Sequence, residues 1–145
     1  MYTIDASVHV SALNQAEVDS QASRAFLTMV QQEQIPLFCP TLLLVEVAAA
    51  VAGAVGDAWR AAALAASLRG WSNQLLVPLD EILAEQAAVL AATARLRGAD
   101  AVYAAVAQHY GATLVTLDRR QLERLSPVLR TARPADIISQ REAGS

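Results

Sequence analysis

The stretch Gly111-Ala112-Thr113-Leu114-Val115-Thr116-Leu117-Asp118-Arg119-Arg120-Gln121-Leu122 decides the fold. Thr113–Leu117 is short, apolar and β-branched, the composition of a buried strand. Gly111 closes the helix before it, which Asp100 opens and which runs to Tyr110. Asp118 ends the strand and begins a short helical turn, Arg119–Leu125. Helix, strand and helix in direct succession predict a parallel α/β unit.

The same alternation extends outward. Tyr2–Ile4 reads as a strand ending at Asp5, Pro36–Cys39 as a second and Leu75–Leu79 as a third, with Val128–Thr131 a candidate fifth. Between them, helices are predicted at Gln21–Gln34 behind a Ser20 cap, Leu42–Val55 behind a Thr41 cap, Ala58–Leu68, and Glu81–Leu96 behind an Asp80 cap. The resulting class is a three-layer α/β/α sandwich around a parallel sheet of four to five strands. Residues 1–138 are expected to form one domain, with 139–145 a frayed tail. In such sheets, sites lie at the carboxyl ends of the strands, where strand order reverses.

Composition narrows the function. The chain has 145 residues and a net charge of −3, with 54% hydrophobic residues. These values exclude disorder. Cys39 is the only cysteine, which excludes a disulfide scaffold and fits a reducing, cytoplasmic setting. The start shows no basic region before a long apolar run, so no signal peptide is expected. The most apolar stretch, Leu42–Leu68, is broken by Glu46, Asp57 and Arg60, so no membrane span is expected. Alanine accounts for 31 residues, which favours helix. All 11 cationic side chains are arginine. The missing lysine removes a receiver-type phosphoacceptor. Ser7, two residues after Asp5, stands where a haloacid-dehalogenase-type phosphatase needs aspartate. Asp5-Ala6-Ser7-Val8-His9 lacks the glycines of a dinucleotide-binding turn.

Four carboxylates attract notice. Asp5 and Asp118 follow strands, Asp100 lies at a helix start, and Glu46 lies in the second turn of a helix. Helix starts and strand ends share one edge of a parallel sheet, so all four can converge there. Each also has a plainer reading: Asp100 as an N-cap, Asp118 and Asp5 as turn residues, Glu46 on an outer helix face. Convergence would demand a compensating cation, and oxygen-only ligands select Mg²⁺ or Mn²⁺. Such ions support phosphodiester cleavage.

The residues around these acids resemble a known family. Ile4-Asp5-Ala6-Ser7, Pro40-Thr41-Leu42-Leu43-Leu44-Val45-Glu46, Leu96-Arg97-Gly98-Ala99-Asp100 and Gly111 through Leu122 are similar, in order, to the motifs of the PIN domain. Size and spacing are most similar to VapC-type toxins of toxin–antitoxin pairs. The resemblance implies a metal-dependent endoribonuclease in which Asp5, Glu46, Asp100 and Asp118 hold Mg²⁺ or Mn²⁺, supported by the hydroxyls of Ser7 and Thr116. It further implies an RNA substrate such as tRNA or rRNA, a cognate antitoxin and a homodimer. A catalytically silent RNA-binding or protein-interaction module on the same fold is the alternative.

Among the arginines, Arg97, Arg119 and Arg120 flank the Asp100 and Asp118 motifs and are candidates for contact with RNA, against a plain solvated face. His9 and His109 read as structural, Cys39 as a small buried hydrophobe, and Asp136 as a turn residue or a fifth acid. Trp59 and Trp71 are candidates for a partner surface or for partial core burial.

Overall fold

The computed structural model describes every residue from Met1 to Ser145. Five parallel strands form one sheet: β1 (Tyr2–Ile4), β2 (Leu37–Pro40), β3 (Gln74–Val77), β4 (Thr113–Val115) and β5 (Thr131–Ala132), in the order β3-β2-β1-β4-β5. Tyr2 pairs with Leu37 on one side and Thr113 on the other, so β1 is central. The chain steps outward from β1 to β3 and then crosses back to build β4 on the opposite side. Strand order therefore reverses between β1 and β4.

Eight helices surround the sheet: α1 (Ala6–Leu13), α2 (Ser20–Gln32), α3 (Leu42–Val55), α4 (Ala58–Arg69), α5 (Glu81–Ala94), α6 (Gly98–Tyr110), α7 (Arg119–Leu125) and α8 (Pro134–Ala143). No helix is long and apolar enough to cross a membrane. The most buried is α6, which packs on β1, β2 and β4 and has an unbroken buried run from Ala101 to Ala107. Its four alanines in that run let it sit close to the sheet. Gly111 follows in the left-handed region, φ 63°, which turns the chain from α6 into β4.

The core is apolar and continuous, with Ile4, Phe26, Leu37, Leu43, Val47, Tyr103, Leu114 and Leu125 almost wholly buried. Cys39 is fully buried at the β1–β2 seam. Its Sγ accepts from the Ile4 amide at 3.4 Å, and burial pushes its thiol up to about 12.

Several local expectations need correction. Within residues 139–145, expected as a tail, α8 continues to Ala143 and Arg141 pairs with Glu33 on the α2 side. α1 is a helix where none was predicted. The fifth strand is Thr131–Ala132 rather than Val128–Thr131, since Val128 and Leu129 hydrogen-bond back to Leu125 O in a turn. Neither Ser20 nor Thr41 caps a helix with its side chain: Ser20 is the first residue of α2, and Thr41 makes no capping bond.

Candidate active site

The reversal between β1 and β4 places Asp5 and Asp118 on one rim of the sheet. Asp5 follows β1 directly and caps α1: its side chain accepts from the Ser7 amide, 3.3 Å to Oδ2. The same Oδ2 accepts from the Thr116 hydroxyl at 3.1 Å. Thr116 Oγ1 in turn accepts from the Asp118 amide at 3.1 Å. Ser7 Oγ lies 3.5 Å from Thr116 Oγ1 and accepts from the Leu117 amide at 3.1 Å. The two hydroxyls thus lace the end of β1 to the segment after β4. Asp118 caps α7, its Oδ1 accepting from the Arg120 and Gln121 amides at 2.8 and 3.1 Å.

The other two acids come from helices. Asp100 is not the N-cap of α6, a position held by Arg97; it stands in the first turn. Its Oδ1 accepts from Gln121 Nε2 at 3.0 Å, and its Oδ2 is buried with no partner. Burial first, then the charges of Asp5, Asp118 and Glu46, raise its carboxyl to about 6, against an opposing pull from Arg97. Glu46 does not point away from the molecule. It is partly buried, its Oε1 has no partner, and burial raises its carboxyl, with Asp5 adding to the shift. The Tyr103 hydroxyl faces Glu46 and opposes that rise, but falls short of a formed hydrogen bond. Tyr103 itself is fully buried.

Asp5, Ser7, Glu46, Asp100 and Asp118 line one open cleft of about 440 Å³. Thr116 lies beneath it, fully buried. Glu17, Asp19, Ser11 and Gln121 also line it and were not anticipated. Gln121 had a detectable signal, since it lies three residues after Asp118, on the same side of a helix. Glu17 and Asp19 had none, because a loop brings them in. Of the three arginines expected to face RNA, Arg119 lines an adjoining cleft of about 520 Å³ that shares Asp19 and Leu117 with the first. Arg97 and Arg120 line neither cleft. All three guanidinium groups lack a hydrogen-bond partner in the chain, whereas those of Arg124, Arg130 and Arg133 are bonded to it. Asp136 is held in the first turn of α8, accepting from the Arg133 amide at 3.4 Å, and lies outside the cleft.

The donors suit a hard divalent cation. They are all oxygens, and two of them, Glu46 Oε1 and Asp100 Oδ2, are buried and unsatisfied. Their mutual repulsion, visible in the raised carboxyl of Asp100, is what a cation would relieve. No three of the side chains are gathered into a ready-made ion site as they stand. His9 takes no part. It is buried against Trp71, with ring centroids 5.5 Å apart, and burial lowers it to about 4. Trp59 is 87% exposed, far from the core burial also considered for it.

Comparison with known proteins agrees with this architecture. The PIN domain family model matches residues 2–126. No curated protein matches the chain. Among solved structures, VapC20 of Mycobacterium tuberculosis, a Sarcin-Ricin loop cleaving toxin, superposes with a TM-score of 0.72 at 17% identity, covering 85% of this chain and 94% of that one. FitAcB from Neisseria gonorrhoeae gives 0.69 at 19% identity, covering 93% and 99%. VapBC2 from Rickettsia felis, bound to a DNA fragment from its promoter, gives 0.66 at 15% identity, covering 91% and 97%. At these identities the likeness is one of fold.

Proposed function

Starting from a chain that belongs to the PIN domain family, we propose a Mg²⁺- or Mn²⁺-dependent endoribonuclease, the toxin of a VapBC-type pair. The observation that carries this reading is the convergence of Asp5, Glu46, Asp100 and Asp118 in one cleft at the strand reversal, two of them with buried oxygens that no protein group satisfies.

In this reading the four carboxylates hold the cation. When bound, such an ion polarises the phosphoryl oxygens and lowers the pKa of a water at the scissile bond. The chain's own residues supply the rest. Thr116 and Ser7 fix Asp5 and the Asp118 backbone, so the strand side of the cleft keeps its shape as the substrate enters. Arg119, in the adjoining cleft, is placed to engage RNA phosphate beyond the acids. Arg97 and Arg120 are exposed, with free guanidinium groups, and extend that contact. The open cleft admits a polynucleotide better than it encloses a small molecule.

The same reading includes a tRNA or rRNA substrate, a cognate antitoxin as inhibitor, a homodimer and a cytoplasmic setting. VapBC and FitAB complexes among the structural neighbours support the antitoxin. The test is sequencing of RNA ends after induced expression. Discrete new ends that appear with the wild type and vanish with Asp5→Asn are the expected result. An RNA pool identical in the two cultures overturns it.

A further inference from the structure

We propose that Gln121 is a positioning residue that holds the Asp100 carboxylate in place for the cation; this rests on reading the cleft as a divalent-ion site. Gln121 is 1% exposed and lines the cleft from α7. Its Nε2 donates to Asp100 Oδ1 at 3.0 Å, while its backbone amide donates to Asp118 Oδ1 at 3.1 Å. One residue therefore ties together carboxylates carried by two different elements. The Nε2 contact is the sole hydrogen bond that the Asp100 carboxylate accepts.

The direction of that bond is dictated by chemistry. Turning the amide over would set Oε1 against a carboxylate oxygen, two acceptors with no hydrogen between them. With the nitrogen on Oδ1, the carboxylate is fixed in rotation and Oδ2 is left free, buried and without a partner. The amide is itself only half satisfied, for Oε1 is also buried without a donor. A buried side chain that spends its donor on one acid and keeps its acceptor open is poorly explained as packing alone. It is well explained as an outer support of an ion-binding carboxylate, of the kind that orients ligands in metal sites.

The experiment measures Mn²⁺ binding by electron paramagnetic resonance of the free ion, using the wild type, Gln121→Met and Asp100→Asn. Methionine keeps the length and the burial but removes the donor. The expected result is a dissociation constant raised roughly 10- to 100-fold in Gln121→Met. The RNA cleavage rate of this variant should recover as Mn²⁺ is raised. Binding by Gln121→Met within about twofold of a wild type that loses Mn²⁺ on Asp100→Asn overturns the role of Gln121 alone. Wild type that binds Mn²⁺ no better than Asp100→Asn overturns the ion site and the inference together. A rate that stays low at saturating Mn²⁺ places Gln121 in the chemistry and overturns positioning. Should Gln121→Met fail to fold, Gln121→Asn, whose amide is one methylene short of Asp100, takes its place with the same expected weakening, and wild-type affinity overturns the inference.

Discussion

On the strand side of the cleft, Asp5 and Asp118 are held by the fold, each accepting from backbone amides at helix starts and linked through Thr116. On the helix side, Glu46 and Asp100 each keep one buried oxygen that nothing in the chain satisfies, and both carboxyls are raised. The two sides carry the same functional group in different states of satisfaction. A carboxylate that caps a helix has a structural reason to be where it is. A carboxylate that is buried, crowded by like charge and short of partners costs stability, and its presence points to a ligand from outside.

This contrast can be broken most forcefully at Asp100. Asp100→Asn is expected to lower Mn²⁺-dependent RNA cleavage roughly 100-fold or more, read with an end-labelled substrate. The same variant should lose the stabilisation that Mn²⁺ gives the wild type, about 2.7 kcal/mol at 100 times the dissociation constant. Equal shifts in melting temperature for the two proteins would erase the distinction between the sides.

On the strand side the expected loss is structural. Thr116→Val leaves Asp5 Oδ2 without its hydroxyl donor and the Asp118 amide without its acceptor. Urea unfolding should show a loss of about 1–3 kcal/mol. Unchanged stability would mean that the hydroxyl lacing does not hold the rim.

The pH dependence of the ion-free protein sharpens the comparison further. Asp100, raised from 3.8 to about 6, is harder to ionise folded than unfolded, so it withdraws stability as pH rises from 4 through 6. His9, lowered from 6.5 to about 4, acts in the opposite direction: its contribution is complete above 6.5 and is lost as pH falls towards 4. The two partly offset each other in the wild type. In Asp100→Asn, stability should fall more steeply between pH 6.5 and 4, as urea midpoints would record. A parallel profile in both proteins would contradict the crowding assigned to Asp100.

The smallest effect is expected away from the cleft. Trp59→Ala on α4, a residue that is 87% exposed, should change monomer stability by less than about 0.5 kcal/mol, measured by thermal unfolding. A larger loss would show that Trp59 packs within the chain more than its exposure implies.

The sheet was legible because short apolar runs ended by aspartate or bounded by proline leave few alternatives. β1, α3 and α7 fall where the pattern places them. α1 was not legible: Ala6–Leu13 mixes valines with polar residues, and its helix depends on the Asp5 cap and on packing against α2 and α3. α8 carried a signal that went unused, proline at its first position and an acid two residues later. Glu46 stood out because apolar neighbours surround it. Gln121 carried only the weak signal of its spacing from Asp118, and Tyr103 none, since its meaning depends on distant helices meeting.

Cys39 gives the sheet a chemical timer. It is the only thiol in the chain, fully enclosed, held protonated by burial and bonded to the backbone of the central strand one residue before Asp5. A thiolate-directed reagent can reach it only when β1 and β2 part. The labelling rate therefore counts openings of the seam that carries Asp5, and any molecule that bridges the two sides of the cleft should slow that count without touching the sulfur.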